Sequence, residues 1–425
     1  MIEPKLPKGF RDSLPNQEIK RKFFEQKLEN TFESYGFVPI DTPILEYTEV
    51  LLGKGGGETD KQIFHFTDNG GREVALRFDL TVPLARFVSA HRSEIELPFK
   101  RYHIAKVFRG EKPQKGRYRE FVQCDFDIVG VDNAQSDAEI LSMMISSMQV
   151  LDVGGFRIHV SNRALLNDFL STLGIQHKSS DVLRAIDKLA KIGIDNVKAE
   201  LAESGVSENQ TDLILSFINP VSEDYIEVLN HLVSLIGKET EGAVRMRQIW
   251  NILKNEGVQD FLLFDPSITR GLDYYTGVVY ETLLDSNPQI GSVCSGGRYN
   301  NLTGLYSKEN LPGVGSCVGI DRLIAAQEEI DSTIYPSVDV VIFACSDVSP
   351  EDAASYGRSL RKLGIRCDAF LGERKIRDQY DYAQSKGAGF AILSLWGDKA
   401  DLKNLATREI TTSIGADEAA RLIRK

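Results

Sequence analysis

The sequence predicts a multidomain α/β protein, in which a sheet flanked by helices is interrupted by a helical insertion and followed by a small α/β domain. Three observations support this fold class. Residues 5–160 alternate strand and helix signals, the chain from Asn162 to about Gly257 is almost entirely helical in pattern, and strand and helix signals then alternate again from residue 336. At 425 residues, the chain is long enough for two or three domains.

Each element follows from its side-chain pattern. Residues Asn16–Tyr35 carry apolar side chains at helical spacing and stop before Gly36, as helices often do. In the helical block, a stripe from Leu165 to Leu173 ends at Gly174. Strand-like runs are expected at Phe37–Ile40, Val74–Phe78, Arg101–Val107, Arg119–Val131, Val338–Ala344 and Phe390–Ser394.

These patterns place the domain boundaries. The C-terminal helix that begins at Ser349-Pro350-Glu351 has proline and an acid in its first turn, and Gly364 ends it. We expect a first core part at 1–161, a helical insertion at 162–258, a second core part at 259–331 and a C-terminal α/β domain at 336–425.

Composition is typical of a soluble globular protein, with 42% apolar and 26% charged residues. We expect a cytoplasmic protein with no membrane segment, because no run of about 18 apolar residues occurs and the N-terminus has no signal or transit pattern. The five cysteines and six histidines lack the spacing of metal ligands, so no zinc or other metal site is expected.

The net charge of −11 argues mildly against a nucleic-acid partner, because phosphate neutralisation needs lysine and arginine. Net charge is a property of the whole molecule, however. A local basic patch can still bind RNA while acidic surface elsewhere limits non-specific association.

Polar residues collect on one face of a predicted strand pair. Phe99–Glu111 and Arg117–Val131 are expected to pair across the turn Lys112–Gly116. Since strand side chains alternate, Arg109 and Glu111 share a face of the first strand. The second strand places Arg117, Phe121, Gln123 and Asp127 on one face. A ligand-binding surface fits this pattern better than a solvated face, because Phe121 lies among the polar groups.

Three further runs carry candidate chemistry. Leu76–Pro83 is expected to be a strand with Asp79 and Thr81 on one face, where a plain salt bridge is the alternative. Arg270–Gly277 (RGLDYYTG) combines an arginine, an acid and two tyrosines, which an ordinary strand end could also hold. Gly313–Leu323 is rich in glycine, and a tight helix–strand contact is its simpler interpretation.

Three runs resemble the histidyl-tRNA synthetase family, and they occur in the order found in that family. They are Phe108–Asp127, Arg270–Gly277 and CSGGRYNNL (Cys294–Leu302). The resemblance extends from residue 5 to the C-terminus. It implies the antiparallel sheet of class II synthetases and a histidine–tRNA ligase. Such an enzyme activates L-histidine with ATP, which gives histidyl-adenylate and pyrophosphate. It then transfers histidine to the 3′ end of tRNA(His). The ATP is bound as its Mg²⁺ complex, and no zinc is expected.

The resemblance also implies assembly and domain roles. Gly36–Glu46 resembles motif 1, which places Pro43 at a homodimer interface. Residues 336–425 resemble the anticodon-binding domain of several class II synthetases. The turn residues Lys112, Gln114 and Lys115 would contact the acceptor end of the tRNA, although a solvated turn explains them equally simply.

Roles at the active site are implied residue by residue. Arg109 would grip the α-phosphate, Arg270 would stabilise the same phosphate where other class II synthetases use metal-binding acids, and both are expected to be catalytic. Asp127 would accept a hydrogen bond from the imidazole, and Tyr274 would serve the other ring nitrogen. The implied ATP-binding set is Arg109, Glu111, Arg117, Phe121 and Arg322. The implied histidine-binding set is Asp79, Thr81, Arg109, Gln123, Asp127, Arg270, Tyr274 and Tyr275.

One non-catalytic alternative has the same core fold. The regulatory subunit of ATP phosphoribosyltransferase senses histidine, but it typically lacks the C-terminal domain and a complete RGLDYY run. This sequence retains both features, which favours the enzyme.

Overall fold

The structure is a computed structural model that describes residues 1–53, 62–268, 275–301, 303–327, 335–346, 348–372 and 374–424, without the side chains at 190 and 191. The chain forms two compact units. The first comprises Met1–Asp12 and Phe23–Ile330, and the second comprises Ser13–Lys22 and Asp331–Lys425.

The described strands form three sheets. In chain order they are β1 (Val38–Pro39), β2 (Leu45–Tyr47), β3 (His65–Thr67), β4 (Glu73–Leu76), β5 (Phe99–Phe108), β6 (Glu120–Val129), β7 (Phe156–Asn162), β8 (Leu262–Phe264), β9 (Val278–Leu284), β10 (Cys294–Arg298), β11 (Gly313–Val318), β12 (Val340–Ile342), β13 (Cys367–Ala369), β14 (Phe390–Trp396), β15 (Lys399–Asn404) and β16 (Ile410–Ile414).

The described part of the chain contains fifteen α-helices. They are α1 (Pro15–Ser34), α2 (Thr48–Leu52), α3 (Thr81–Ala90), α4 (Ala134–Val150), α5 (Arg163–Thr172), α6 (Ser179–Asp187), α7 (Leu189–Ile192), α8 (Ile194–Glu203), α9 (Glu208–Ile218), α10 (Tyr225–Ile236), α11 (Glu241–Glu256), α12 (Ile320–Gln327), α13 (Pro350–Lys362), α14 (Ile376–Ser385) and α15 (Ala416–Ile423). None of the described helices is long and apolar enough to cross a membrane.

The first unit is built on an eight-stranded sheet with the order β1-β5-β6-β11-β10-β9-β7-β8. Its six central strands are antiparallel, and only the two edge strands, β1 and β8, pair in parallel. The expected antiparallel sheet flanked by helices is therefore confirmed. A three-stranded sheet, β2-β4-β3, lies beside the start of α3.

Helices α5 to α11 lie between β7 and β8, where the sequence predicts the helical insertion. Their ends follow ordinary capping chemistry. The Asn162 side chain accepts from the Ala164 backbone N–H, and Ser207 forms a capping box with Gln210. Gly237 and Gly257 end α10 and α11 in the left-handed conformation.

The second unit carries a five-stranded sheet, β13-β12-β14-β15-β16. Strands β13, β12 and β14 are parallel, and β15 and β16 are antiparallel. Apolar clusters around Ile342 and Phe343 cover its two faces. This is the small α/β architecture that the alternating pattern predicts.

Two local predictions are wrong. Leu76–Pro83 is not a strand, because β4 ends at Leu76 and α3 begins at Thr81. The Asp79 carboxylate accepts a hydrogen bond from the Val82 backbone N–H at 3.1 Å, and Pro83 suits the first turn of a helix. Asp79 therefore precedes a helix, although the alternating pattern resembles a strand.

The predicted strands at Phe99–Glu111 and Arg117–Val131 are both too long. Strand β5 ends at Phe108 and β6 begins at Glu120. Arg117 lies in the turn, where it forms an isolated backbone bridge with Gln114. Its side chain thus does not share a strand face with Phe121.

A buried ionic network joins the sheet, α4 and the helical insertion. Asp137 on α4 is fully buried and accepts hydrogen bonds from Arg298 Nε at 2.8 Å and Arg245 Nε at 2.6 Å. Asp132 pairs with the same two arginines from a half-exposed position, at 3.3 Å and 2.8 Å. The Arg298 carbonyl oxygen also accepts from Thr276 N at 2.7 Å, directly after the RGLDYY run.

We predict that Asp137→Ala lowers the free energy of unfolding by about 3–5 kcal/mol, because it leaves two arginines without their buried counter-charge. Asp132→Ala is the matched control, and its more exposed pairs should contribute less than about 1 kcal/mol. Urea unfolding followed by circular dichroism measures both. Equal losses in the two variants would contradict the assignment of the network's stability to Asp137.

Candidate active site

Two adjoining cavities open on the face formed by β6, β9, β10 and β11. The first encloses about 220 Å³ and the second about 240 Å³. Arg109, Gln123, Ser295 and Cys317 line both. A molecule in one cavity therefore meets a molecule in the other beside these four side chains.

The first cavity is cationic. Arg109, Arg117 and Arg322 line it together with Glu111 and Phe121. Burial, reinforced by the charges of Arg117 and Arg109, lowers the pKa of Arg322 to about 10. A cluster of arginines that repel one another in a cavity is suited to a polyanion such as a phosphate chain.

Arg109 is fixed from two sides. Its Nε donates to the Phe78 carbonyl oxygen at 2.9 Å, and its guanidinium lies 5.1 Å from the Phe121 ring centroid. The backbone N–H of Arg109 donates to the Arg119 carbonyl at 2.9 Å, so pairing continues beyond the end of β5. A flat ring and a fixed guanidinium in one cavity can hold an aromatic base and a phosphate.

The N-terminal segment contributes to the same cavity wall. Arg11 forms an ion pair with Asp321, and its guanidinium lies 3.8 Å from the Tyr118 ring centroid. The other Asp321 oxygen accepts from the Val122 backbone N–H at 2.8 Å. Because both carboxylate oxygens are engaged, Asp321 stabilises the wall of the cavity.

The second cavity is lined by acids, an amide and tyrosines. Asp79, Thr81, Gln123, Asp127 and Tyr275 all face it. Carboxylates in an enclosed space favour a ligand that carries a cation and N–H donors. The cavity is therefore suited to an amino acid with a polar side chain.

Asp127 is held in place by partners on neighbouring strands. Its Oδ1 accepts from the Tyr299 hydroxyl at 2.6 Å, and its Oδ2 lies 2.6 Å from Arg101 Nη2. Arg101 is opposite Asp127 in the β5–β6 register and is fully buried. On the other side, Gly315 of β11 is the register partner of Asp127.

Gly315 is required by the space around this carboxylate. A Cβ atom at Gly315 would lie 1.9 Å from Asp127 Oδ1 and 2.8 Å from the Phe126 carbonyl oxygen. Gly297 provides similar space for Tyr275, whose Cδ1 atom would lie 2.8 Å from an added Cβ. The glycine-rich runs thus place backbone directly behind the cavity.

Tyr275 is anchored from the helical insertion. Arg163, the first residue of α5, donates from Nη1 to the Tyr275 carbonyl oxygen at 2.8 Å. Its backbone N–H donates to the Gly277 carbonyl at 3.0 Å. The chain that follows the RGLDYY run is therefore fixed by the insertion.

The structure brings most of the predicted residues together. The whole expected ATP-binding set lines the first cavity, and Asp79, Thr81, Arg109, Gln123, Asp127 and Tyr275 line the second. Arg270 and Tyr274 lie outside the described residues. Lys112, Gln114 and Lys115 are exposed on the turn between β5 and β6.

Several residues of the second cavity are absent from the sequence-based predictions. Asp125 lies between Gln123 and Asp127 on the same strand face, so the alternation could have identified it. Arg101 could be found only from the register of the β5–β6 pair. Tyr299 is 172 residues away from Asp127 in the chain and gives no local signal.

No group of three His, Cys, Asp or Glu side chains within the described ranges is arranged to hold a metal ion. The two cavities instead offer fixed guanidinium and carboxylate groups. With Arg109 between them, they can hold a phosphate of one ligand against the carboxylate of another.

Comparisons with known proteins agree with this chemistry. The family model described as Histidyl-tRNA synthetase matches residues 9–323. A histidine–tRNA ligase from Treponema denticola is 51% identical over 397 residues, which cover 91% of this chain and 88% of that protein. One from Rhodopirellula baltica is 45% identical over 420 residues, or 96% and 95% of the two chains.

A solved structure supports the same grouping. The crystal structure of histidyl-tRNA synthetase from Nostoc sp. PCC 7120 matches with a TM-score of 0.88 and 32% identity, covering 100% of this chain and 99% of that one. The family model spans well over half of the chain, and the relatives span nearly all of it. The chain belongs to the histidyl-tRNA synthetase family.

Proposed function

We propose that the two joined cavities make histidyl-adenylate, and that the following transfer of histidine to tRNA(His) uses the same site. The chain is a histidine–tRNA ligase, a class II aminoacyl-tRNA synthetase that uses ATP. The observation that carries the residue-level proposal is the position of Arg109, which lines both the cationic cavity and the carboxylate cavity.

In the activation step, a carboxylate oxygen of histidine attacks the α-phosphorus of ATP and pyrophosphate leaves. Arg109 holds the α-phosphate where the two ligands meet, and Arg270 stabilises the charge that develops on it. Both are therefore proposed as catalytic residues. Fixed arginines suit this role because their charge requires no rearrangement as the transition state forms.

The remaining ATP contacts follow from the first cavity. Phe121 stacks on the adenine, Glu111 accepts from the adenine amino group, and Arg322 binds the γ-phosphate with Arg117 nearby. Mg²⁺ accompanies the phosphates of ATP. We assign it no protein ligand, because the described residues offer no cluster of three suitable side chains.

The second cavity receives histidine. Asp79 and Thr81 hold the α-ammonium group, and Gln123 and Asp127 contact the amino acid further along. Tyr274 and Tyr275 complete the site. The carboxylate of Asp127 is preoriented by Arg101 and Tyr299, so it can accept an imidazole N–H without rearrangement.

Other parts of the chain carry the tRNA. The C-terminal α/β domain at 336–425 binds the anticodon region, and the hairpin turn with Lys112, Gln114 and Lys115 contacts the acceptor end. The catalytic core is then formed by 1–161 and 259–331, separated by the helical insertion at 162–258. The protein acts in the cytoplasm, where its tRNA substrate is used.

We propose a homodimer that assembles through the motif 1 segment. An open groove lined by Asp41, Pro43, Arg77 and His103 runs beside Ile44, which is 45% exposed. The buried His103 ring contacts Asp41 at 3.0 Å, although the Asp41 side chain is 88% exposed. Covering this groove with a second copy would bury both the exposed apolar surface and the half-solvated contact between His103 and Asp41.

The regulatory-subunit alternative is not favoured. The relatives that match nearly the whole chain at 45–51% identity are histidine–tRNA ligases. A sensor would bind histidine without supporting exchange between ATP and pyrophosphate.

Histidine-dependent ATP–pyrophosphate exchange tests the proposal. Wild-type protein should support exchange with histidine and with no other standard amino acid. Arg322→Ala should raise the KM for ATP at least tenfold, because it removes a charge-assisted phosphate contact, and should change the KM for histidine much less. Arg184→Ala, which removes an exposed arginine of α6, is the control and should behave as wild type. An unchanged KM for ATP in Arg322→Ala would remove that residue from the ATP site.

The turn between β5 and β6 yields a second prediction. Alanine at Gln114 and Lys115 should weaken tRNA charging, and the lysine effect should fade as salt rises, because phosphate contacts are screened. Exchange measured without tRNA should stay near the wild-type rate. An equal loss in both assays would mean that the turn supports the site and does not contact RNA.

A further inference from the structure

Asp125 is a second buried carboxylate in the histidine cavity. Residues 123, 125 and 127 of β6 share one face, and Asp125 lines the cavity between Gln123 and Asp127. It is 2% exposed. None of the roles proposed above uses it.

The two aspartates differ in their counter-charge. Asp127 accepts a hydrogen bond from the Tyr299 hydroxyl and forms an ion pair with Arg101 through Oδ2, although that oxygen makes no hydrogen bond within the described residues. Asp125 receives a hydrogen bond from the thiol of Cys317, its register partner on β11, but its buried Oδ1 has no hydrogen-bond partner among the described residues. A buried, unsatisfied carboxylate oxygen is costly and rare, and it indicates a missing partner.

No side chain within the described ranges forms an ion pair with Asp125, although the charge of the buried Arg77 interacts with it. Burial raises its pKa to about 7, Arg101 opposes that shift, and the neighbouring charge of Asp127 adds to it. Arg101 lies 2.6 Å from Asp127 and is thus already paired. His103, opposite Asp125 in the register, is kept neutral, because burial and the nearby arginines lower its pKa to about 3. Asp79 adds a further negative charge.

We propose that Asp125 is a specificity-determining residue that accepts a hydrogen bond from one imidazole N–H of bound histidine, while Asp127 accepts from the other. The inference rests on the proposed function of this cavity. It gives Asp125 the second ring nitrogen, which the sequence-based expectation assigned to Tyr274. The substrate then binds with both ring nitrogens protonated, and its ring supplies the cation that Asp125 lacks.

Geometry on the strand suits this arrangement. Side chains two residues apart on one strand face lie about 7 Å apart. An imidazole ring can bridge such a span when each ring nitrogen donates a hydrogen bond of about 2.8 Å. Amino acids without two N–H donors would leave one or both carboxylates unmatched, and the cavity would reject them.

The test compares Asp125→Asn with wild type in ATP–pyrophosphate exchange. The amide keeps the shape but removes the charge, so the KM for histidine should rise about 10- to 100-fold. Inhibition by histidinol, which shares the ring and lacks the carboxylate, should weaken by the same factor. The KM for ATP should stay within about twofold of wild type.

A merely structural role would give a different result. Cys317 and Gln123 line both cavities, so a general distortion around Asp125 would raise the KM for ATP as well. Glu139→Gln is the matched control for the charge change, because Glu139 pairs with Lys100 outside both cavities. It should leave both KM values unchanged.

The exchange assay distinguishes a failure of this inference from a failure of the proposed function. If wild type shows histidine-dependent exchange and Asp125→Asn keeps the wild-type KM for histidine, Asp125 does not contact the ring. If wild type shows no such exchange, the proposed function itself fails, which is a separate result. Should Asp125→Asn not fold, Asp125→Ser gives the same comparison.

A measurement on the wild-type enzyme tests the same contact directly. Ring-¹⁵N histidine bound to the enzyme should show two N–H protons by NMR, and a single N–H proton would overturn the proposal.

Discussion

The carboxylate of Asp127 lies in a row of three strands that fixes its position and places a counter-charge beside it. Arg101 on β5 stands on one side and supplies the counter-charge, and Gly315 on β11 stands on the other and supplies the space. A buried ion pair of this kind contributes little net stability, because desolvation offsets the attraction. We infer that it is retained because it holds an acceptor at a fixed point for the substrate.

The same principle applies across both cavities. In the first, burial lowers the pKa of Arg322, and the neighbouring charges of Arg117 and Arg109 add to that shift. In the second, Asp125 keeps an oxygen that has no hydrogen-bond partner in the part of the chain that the structure describes. The first cavity thus has an excess of positive charge, and the second has an excess of negative charge. Each excess is opposite in sign to the ligand proposed for that cavity, a phosphate chain in one case and a protonated imidazole in the other. Binding energy and specificity then have a common electrostatic origin.

Much of this arrangement follows from local sequence rules. Strand alternation brought Gln123 and Asp127 to one face, and glycines located the ends of α10 and α11. The alternation failed at Leu76–Pro83, where a hydrogen bond from Val82 to Asp79 begins a helix instead. Arg101 and Tyr299 could not be found this way, because strand register and a contact across 172 residues are properties of the tertiary fold.

The histidine cavity depends on the space that Gly315 leaves for Asp127. Calorimetric titration of Gly315→Ala tests this dependence most directly, because an added Cβ would lie 1.9 Å from the carboxylate. Gly242→Ala is the control, since the closest atoms there are at ordinary contact distance, 3.4 Å. We expect Gly315→Ala to lose measurable histidine binding while it still binds ATP, and Gly242→Ala to bind both. Wild-type histidine affinity in Gly315→Ala would contradict it.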